Sequence, residues 1–241
     1  MYRIKSIIAL VVMIMLFNCK DKADNTQNES PIKIEIDSSA TKTMDTTDAD
    51  SQNPSNERKY PYLTDKNAME FFLQYEKEHK ENKVRIVTAF GNIDILLFEE
   101  TKFHRANFIF LAKQNYFEHT QFYRVIENYI IQGGSTDDQD VMDRRGGIGK
   151  YLLPTDTKRG FHHDRGVISM PSGDRDNPYK LASPYEFFIM LRDVHDLDGD
   201  YTIFGRVIDG MDVADKIASV KTDDGDWPLK NVYIKRIEVL D

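Results

Sequence analysis

One arginine in this sequence could do chemistry, because it lies within a short apolar strand. Residues 122–134 predict two strands joined by a turn at 127–128 and closed by a Gly-Gly break. Alternation along the first strand places Arg124 on the same side as Phe122 and Ile126. Arginine is seldom buried without a partner. Two interpretations are open: an edge residue held in a salt bridge, or a cationic donor aimed into an apolar groove.

The segments around this arginine predict the domain that would position it. Apolar residues alternate along 84–90 and 93–97, on either side of a Gly91-Asn92 hairpin signal. Further strands are predicted at 167–170, 187–191, 201–208 and 232–240, and helices at 105–114 and 211–219. Many short strands with two helices predict an all-β fold, a closed barrel capped by those helices. Residues 135–163 hold several glycines and mixed charges and are predicted to form a long loop.

An additional helix is predicted before the barrel. Thr64 is a candidate N-cap for a helix over 64–82, and four apolar residues at helical spacing form one stripe. These residues are Ala68, Phe71, Phe72 and Tyr75. We therefore expect residues 59–83 to form a helix docked on a domain that occupies residues 84–241.

The N-terminal residues have the pattern of a targeting segment. Arg3 and Lys5 precede an apolar run over 7–17, which is too short to span a bilayer and suits a signal-peptide core within residues 1–18. Cys19, the only cysteine, follows at once, so an intrachain disulfide is impossible. The arrangement resembles a bacterial lipoprotein signal. It predicts lipidation of Cys19 and a lipid-anchored protein of the cell envelope, facing the periplasm or the cell surface; an ordinary secretory signal is the alternative.

Composition restricts the remaining possibilities. Residues 19–58 are polar, lack aromatic residues and are predicted to form a disordered tether. The net charge of −8 argues against a nucleic-acid partner. His162 and His163, adjacent before a predicted strand, favour a loop contact over a metal site, and we expect neither a metal nor a cofactor.

Seven segments in one order resemble the cyclophilin family of peptidyl-prolyl cis-trans isomerases. They are Gly91–Ile95, Ala106–Leu111, Phe122–Ile126, Ile131–Gly134, Gly166–Met170, Phe187–Ile189 and Leu197–Val207. The resemblance runs from about residue 84 to residue 241. It implies a closed eight-stranded antiparallel barrel capped by two helices, and proline-containing polypeptides as partners of a monomer.

The resemblance also implies roles for individual residues. Arg124 falls at the position of the catalytic arginine, and Gln132 at the position of the glutamine near it. The substrate-binding positions fall on Phe122, Tyr129, Met170, Ser172, Glu186, Phe188, Leu197 and Tyr201. Glu186 stands where the family has glutamine and Ser172 where it has asparagine. A carboxylate at 186 could pair with Arg124 and weaken its donation to substrate.

These residues suit rotation about an X-Pro bond. A guanidinium can donate to the amide nitrogen or to the turning carbonyl oxygen, and an apolar wall can hold the proline ring. The resemblance therefore implies a prolyl isomerase that acts on exported proteins. The alternative is a catalytically weak module or chaperone that binds proline peptides.

Overall fold

The computed structural model describes residues 59–173 and 177–240. The predicted signal segment, the lipidated Cys19 and the tether lie outside these residues. The strands are β1 Leu63–Thr64, β2 Lys83–Thr88, β3 Asn92–Leu97, β4 Gln121–Ile126, β5 Ile130–Ser135, β6 Gly149–Lys150, β7 Val167–Met170, β8 Phe187–Met190, β9 Thr202–Asp209 and β10 Val232–Leu240. The helices are α1 Ala68–Glu78, α2 Lys102–Lys113, α3 Gln139–Ile148 and α4 Met211–Ala218.

Eight strands form a closed barrel in the order β10-β2-β3-β9-β7-β8-β5-β4. Every neighbouring pair in it is antiparallel, and β10 closes the barrel by pairing with β4. The all-β prediction is thereby confirmed. A separate parallel pair joins β1 to β6. Each helix among the described residues is too short or too polar to cross a bilayer.

Apolar side chains alternate between the two faces of the barrel wall. In β8, Phe187 and Ile189 belong to the cluster that fills the barrel, here called the interior cluster. Phe188 and Met190 belong to a second cluster on the opposite face, here called the outer cluster. The outer cluster consists of Ile130, Val167, Phe188, Met190 and Ile203, with Phe98, Ile126, Tyr129, Phe161, Val194, Leu197 and Tyr201 packed against them.

A β-bulge in β4 decides which way Arg124 faces. Phe122 pairs with Gly133 and Arg124 pairs with Gln132, so Tyr123 is an extra residue in β4. Phe122 therefore points inward and is fully buried, whereas 42% of the Arg124 side chain is exposed. The prediction that Phe122 and Arg124 share a side is wrong, because the bulge shifts the alternation by one residue.

Helix α1 packs on α2 through aromatic rings and a buried ion pair. The rings of Phe72 and Tyr75 lie 5.8 and 5.4 Å from the ring of Phe110 in α2. Arg105 of α2 is 2% exposed and donates from Nη2 to Glu76 Oε1 at 2.8 Å. The predicted apolar stripe is thus a packing face, and it joins the interior cluster.

Two local predictions are wrong. Helix α1 begins at Ala68 after the N-cap Asn67, and Thr64 lies in β1, where its N–H donates to Asn67 Oδ1 at 2.7 Å. The predicted loop over 135–163 contains α3 and β6. Asp138 starts α3, because its Oδ1 accepts two backbone N–H groups at 3.0 and 3.2 Å.

Candidate active site

A row of outward-facing side chains crosses four adjacent strands. The register pairs Arg124 of β4 with Gln132 of β5, Gln132 with Phe188 of β8, and Phe188 with Ser169 of β7. Neighbouring strands lie about 4.8 Å apart, so the guanidinium, an amide and an apolar ring are adjacent on one surface. The barrel thus brings a cationic donor to the edge of an apolar patch.

The guanidinium of Arg124 is anchored from the turn before β10. Its Nε lies 3.4 Å from Asp226 Oδ2, and the two side chains are 42% and 39% exposed. The main chain of the same turn binds β4, since the Val125 N–H donates to Asp226 O at 2.8 Å. Asp226 therefore orients Arg124 without removing it from solvent.

Tyr123, the extra residue of the bulge, links the two polar groups on either side of it. Its hydroxyl accepts from Gln132 Nε2 and donates to Glu186 Oε2 at 3.2 Å. Burial, reinforced by the Glu186 carboxylate, raises the pKa of Tyr123, so its hydroxyl stays protonated and able to donate. Glu186 thus contacts Tyr123, and within the described residues the acid in ion-pair distance of Arg124 is Asp226.

Apolar side chains of the outer cluster, here called the pocket, lie beside this polar group; they are Phe188, Tyr201, Leu197 and Tyr129. The Tyr201 ring stands edge-on to Phe188 at 5.6 Å, and the His163 ring lies nearly parallel to it at 6.1 Å. Leu197, in a single 3-10 turn, and Tyr129, in the turn after β4, pack against the same cluster. Arg124 lies at the edge of these side chains, two strands from Phe188, with 42% of its own side chain exposed.

Polar bonds behind the pocket fix its wall. Asp198 Oδ1 lies 2.8 Å from His163 Nδ1, and His163 Nε2 lies 3.1 Å from Ser169 Oγ. Burial opposes ionisation of Asp198, but hydrogen bonds from His162 and His163 lower its pKa to about 2. Burial lowers the pKa of His163, against the attraction of Asp198. The ring is therefore neutral near pH 7, with Nδ1–H donating to Asp198 and Nε2 accepting from Ser169.

The structure brings together most of the residues predicted for the site. Arg124, Gln132, Tyr129, Phe188, Leu197, Tyr201 and Glu186 lie on the outer face as described above. Ser172 is half-buried just beyond β7, in a bridge with Ala182.

Two residues predicted to bind substrate lie elsewhere. Phe122 and Met170 are both 0% exposed and belong to the interior cluster. Phe122 points inward because of the bulge, and Met170 because it follows the outward-facing Ser169. On the outer face, Ile130 and Met190 supply the apolar surface instead.

Sequence reasoning also missed three residues that shape the site: Tyr123, Asp226 and Trp227. Tyr123 was expected to face away from Arg124. Asp226 and Trp227 lie in an irregular turn about a hundred residues from β4, where no periodic signal marks them.

Across residues 59–173 and 177–240, no group of three or more His, Cys, Asp or Glu side chains is arranged to hold a metal ion. His162 and His163 both contact Asp198, which explains their adjacency.

The site is thus an arginine beside apolar side chains on the outer face of a closed antiparallel barrel. Residues 83–239 match the family model described as cyclophilin type peptidyl-prolyl cis-trans isomerase/CLD. The chain therefore belongs to the cyclophilin-type peptidyl-prolyl cis-trans isomerase family.

Relatives with this name occur in several organisms. Peptidyl-prolyl cis-trans isomerase-like 2 of Rhizopus delemar is 36% identical over 171 residues, which cover 69% of this chain and 30% of the relative. Peptidyl-prolyl cis-trans isomerase ppi1 of Schizosaccharomyces pombe is 34% identical over 155 residues, which cover 63% of this chain and 94% of the relative. The chain thus spans less than a third of the length of the Rhizopus relative.

Solved structures share the fold. A cyclophilin type peptidyl-prolyl cis-trans isomerase of Cryptosporidium parvum superposes with a TM-score of 0.57 at 28% identity, covering 67% of this chain and 98% of that chain. A second structure of it, in the presence of the dipeptide Ala-Pro, gives a TM-score of 0.56 at 28% identity, covering 66% of this chain and 99% of that chain.

Proposed function

We propose that this protein catalyses cis-trans isomerisation of X-Pro bonds in polypeptides. The observation that carries the proposal is the row of Arg124, Gln132 and Phe188 across three adjacent strands, which puts a cationic donor at the edge of the apolar side chains of the outer cluster. Family membership supports the activity, and the Cryptosporidium structure in the presence of Ala-Pro supports proline peptides as ligands.

The proposed mechanism needs no proton transfer. Rotation about the X-Pro bond faces a barrier of about 18–20 kcal/mol, because the amide nitrogen shares its lone pair with the carbonyl. In the twisted state the nitrogen regains that lone pair and the carbonyl oxygen moves. Arg124 would donate to one of these atoms, and the contact would be stronger in the twisted state than in the planar one.

The pocket would act by holding one side of the bond still. A proline ring packed against Phe188, Leu197 and Tyr201 would be fixed, so that the preceding carbonyl turns against it. Gln132 would keep the polar edge of the pocket in place through its bond to Tyr123. The apolar wall would also exclude water, which strengthens the guanidinium contact.

The decisive experiment is Arg124→Ala in a protease-coupled isomerisation assay with a short proline peptide. Loss of one such donor should lower kcat/KM by about 10²–10³-fold. Arg85→Ala is a matched control, because Arg85 is also a strand arginine paired with an aspartate, at 2.7 Å, but on β2 away from the pocket. An Arg124→Ala variant that folds and keeps wild-type activity would refute the proposed role.

A second candidate function is proline-peptide binding with little catalysis. The ion pair of Arg124 with Asp226 favours it, because this carboxylate would compete with the substrate for the guanidinium. Binding of a proline peptide by the wild-type protein, without any acceleration of isomerisation, would leave this candidate alone.

We infer from the N-terminal sequence that the substrates are exported proteins and that the enzyme is lipid-anchored through Cys19 in the cell envelope; that it is a monomer is a separate part of the proposal. This inference rests on residues 1–19, which combine a charged start, an apolar core and the single cysteine. Metabolic labelling with a fatty acid should mark the wild-type chain and not Cys19→Ser. Equal labelling of both chains would exclude the anchor.

A further inference from the structure

The single tryptophan of the chain lies at the edge of the candidate active site. Trp227 is half-buried, and its ring centroid lies 5.8 Å from that of Tyr123, with an angle of 42° between the planes. Tyr123 itself reaches Gln132 and Glu186. The two rings therefore form one continuous aromatic surface that begins beside Arg124.

The turn that carries Trp227 runs along the edge of β4 opposite β5. Two contacts place it there: the Val125 N–H donates to Asp226 O at 2.8 Å, and Arg124 pairs with the Asp226 side chain. Phe188 lies on the other side of Arg124, across β5. The row thus has an aromatic surface at each end, with the guanidinium between them.

Backbone bonds, rather than the indole ring, hold this turn in shape. The Trp227 N–H donates to Asp223 Oδ1 at 2.9 Å, and the Asp223 N–H donates to Trp227 O at 2.9 Å. Thr222 and Pro228 form a bridge below them. The indole is therefore presented on a rigid turn that does not depend on it, as expected of a surface preformed for contact.

We propose that Trp227 and Tyr123 form a second subsite, which takes an apolar and preferably aromatic side chain of the substrate about four residues from the proline. Two strand spacings of about 4.8 Å separate Phe188 from Arg124, and an extended peptide advances about 3.3 Å per residue. A peptide with its proline at Phe188 would thus reach Arg124 after about three residues and the Trp227 turn, about one strand spacing further, after about four. This subsite rests on the proposed function, and it would give the isomerase a preference among substrate sequences.

Charge favours an apolar occupant over a basic one. Arg124 lies on the same surface and would repel a cation. Three carboxylates near the two rings already have partners: Asp226 pairs with Arg124, Glu186 accepts from Tyr123, and Asp223 accepts from the backbone N–H groups of Gly225 and Trp227. Stacking against the two rings would favour an aromatic side chain beyond the area that it buries.

The test measures kcat/KM of the full chain on peptides with a fixed proline and one phenylalanine moved through the four positions on each side. Phenylalanine about four residues from proline, on one side, should raise kcat/KM by about threefold to tenfold over alanine. Trp227→Ala should reduce that ratio to below about twofold, and Trp227→Phe should keep part of it. Leu229→Ala, at a side chain 64% exposed on the same connection, should keep the wild-type ratio.

Several outcomes would overturn the subsite. They are the absence of any position where phenylalanine helps, a preference that survives in Trp227→Ala, and a larger gain from lysine than from phenylalanine. Fluorescence separates this test from that of the function, because Trp227 is the only tryptophan. If the protein isomerises no peptide, the proposed function fails, yet a larger emission shift with the phenylalanine peptide than with the alanine peptide would still support the subsite. Equal shifts would refute it.

Discussion

Arg124 is oriented by the carboxylate of Asp226, which lies in a turn outside the predicted strands. Asp226 pairs with Nε at 3.4 Å and lies at a φ of +65°, a left-handed conformation in a turn. Its carbonyl also accepts from β4, so the backbone of the turn and the side chain act on the same strand. The arginine is thus held at Nε, while 42% of its side chain is exposed.

Replacing Asp226 by asparagine should loosen the guanidinium without moving the turn. Asparagine tolerates the left-handed conformation, and the main-chain bond to Val125 does not involve the side chain. Exposed ion pairs are worth about 0–1 kcal/mol, so kcat/KM should fall by up to about fivefold, as measured in the isomerisation assay. Asp224→Asn, exposed in the same turn, is the control. An increase in activity on Asp226→Asn would show that the pair restrains catalysis instead.

The residues of the site were predictable where short motifs carry them. Arg124, Gln132 and Phe188 fall in segments whose types and order identify their strands. Phe122 and Met170 were misplaced because strict alternation does not anticipate a bulge, and because a buried methionine looks the same on either face of a strand. Trp227 could not be assigned, since only tertiary packing brings its turn to β4.

Helix α1 is an additional element that precedes the eight barrel strands in the chain. The apolar stripe predicts which face of α1 packs against the domain. The sequence does not predict where the helix starts, because Thr64 and Asn67 are both good N-caps. Helix α3 escaped prediction for a related reason: its last turn holds Gly146 and Gly147, which read as loop residues. The N-cap hydrogen bonds of Asp138 offset the low helix propensity of these two glycines.

Removal of the buried carboxylate between α1 and α2 should cost stability. Glu76→Ala leaves the 2%-exposed Arg105 with only the Lys80 carbonyl at 3.1 Å as a partner among the described residues. Breaking a buried pair costs about 3–5 kcal/mol, and the partial exposure of Glu76 puts the expected loss near 3 kcal/mol by urea unfolding. Glu78→Ala, exposed on the same helix, should change stability little. Equal losses in both variants would argue against this role for the pair.

At the scale of the molecule, the barrel was the most predictable feature, because period-two alternation runs through most of its strands. What the pattern could not supply is the division of the apolar residues into an interior and an outer cluster. Short strands such as β7 and β8 are buried on both faces, so every residue in them is apolar or small. Which face binds substrate depends on the register between strands.

The stability of the whole molecule should fall in mild acid. His104 of α2 is fully buried, and within the described residues neither ring nitrogen has a hydrogen-bond partner. Burial lowers its pKa to about 4, so between the ordinary value near 6.5 and this value the unfolded chain takes up the proton first. Stability is therefore full above about pH 6.5 and decreases as the pH falls toward 4, by up to roughly 3 kcal/mol from this group.

Urea unfolding at pH 7 and pH 4.5 would measure this loss, with His104→Leu as the comparison. The variant should lose less stability between the two pH values than the wild type. His163 shifts the same way in both proteins and therefore cancels in the difference. Identical losses would assign the acid sensitivity to other groups.

The bulge at Tyr123 determines which residues of β4 face the interior and which face outward. Phe122 before it and Val125 after it face the interior, while Arg124 and Ile126 face outward. Loss of a single residue here would turn the guanidinium toward Phe187 in the barrel and expose an apolar ring in its place. During evolution, single substitutions in β4 can therefore be tolerated one at a time. A change in the length of the strand cannot, because the packing of the barrel and the position of Arg124 would be lost together.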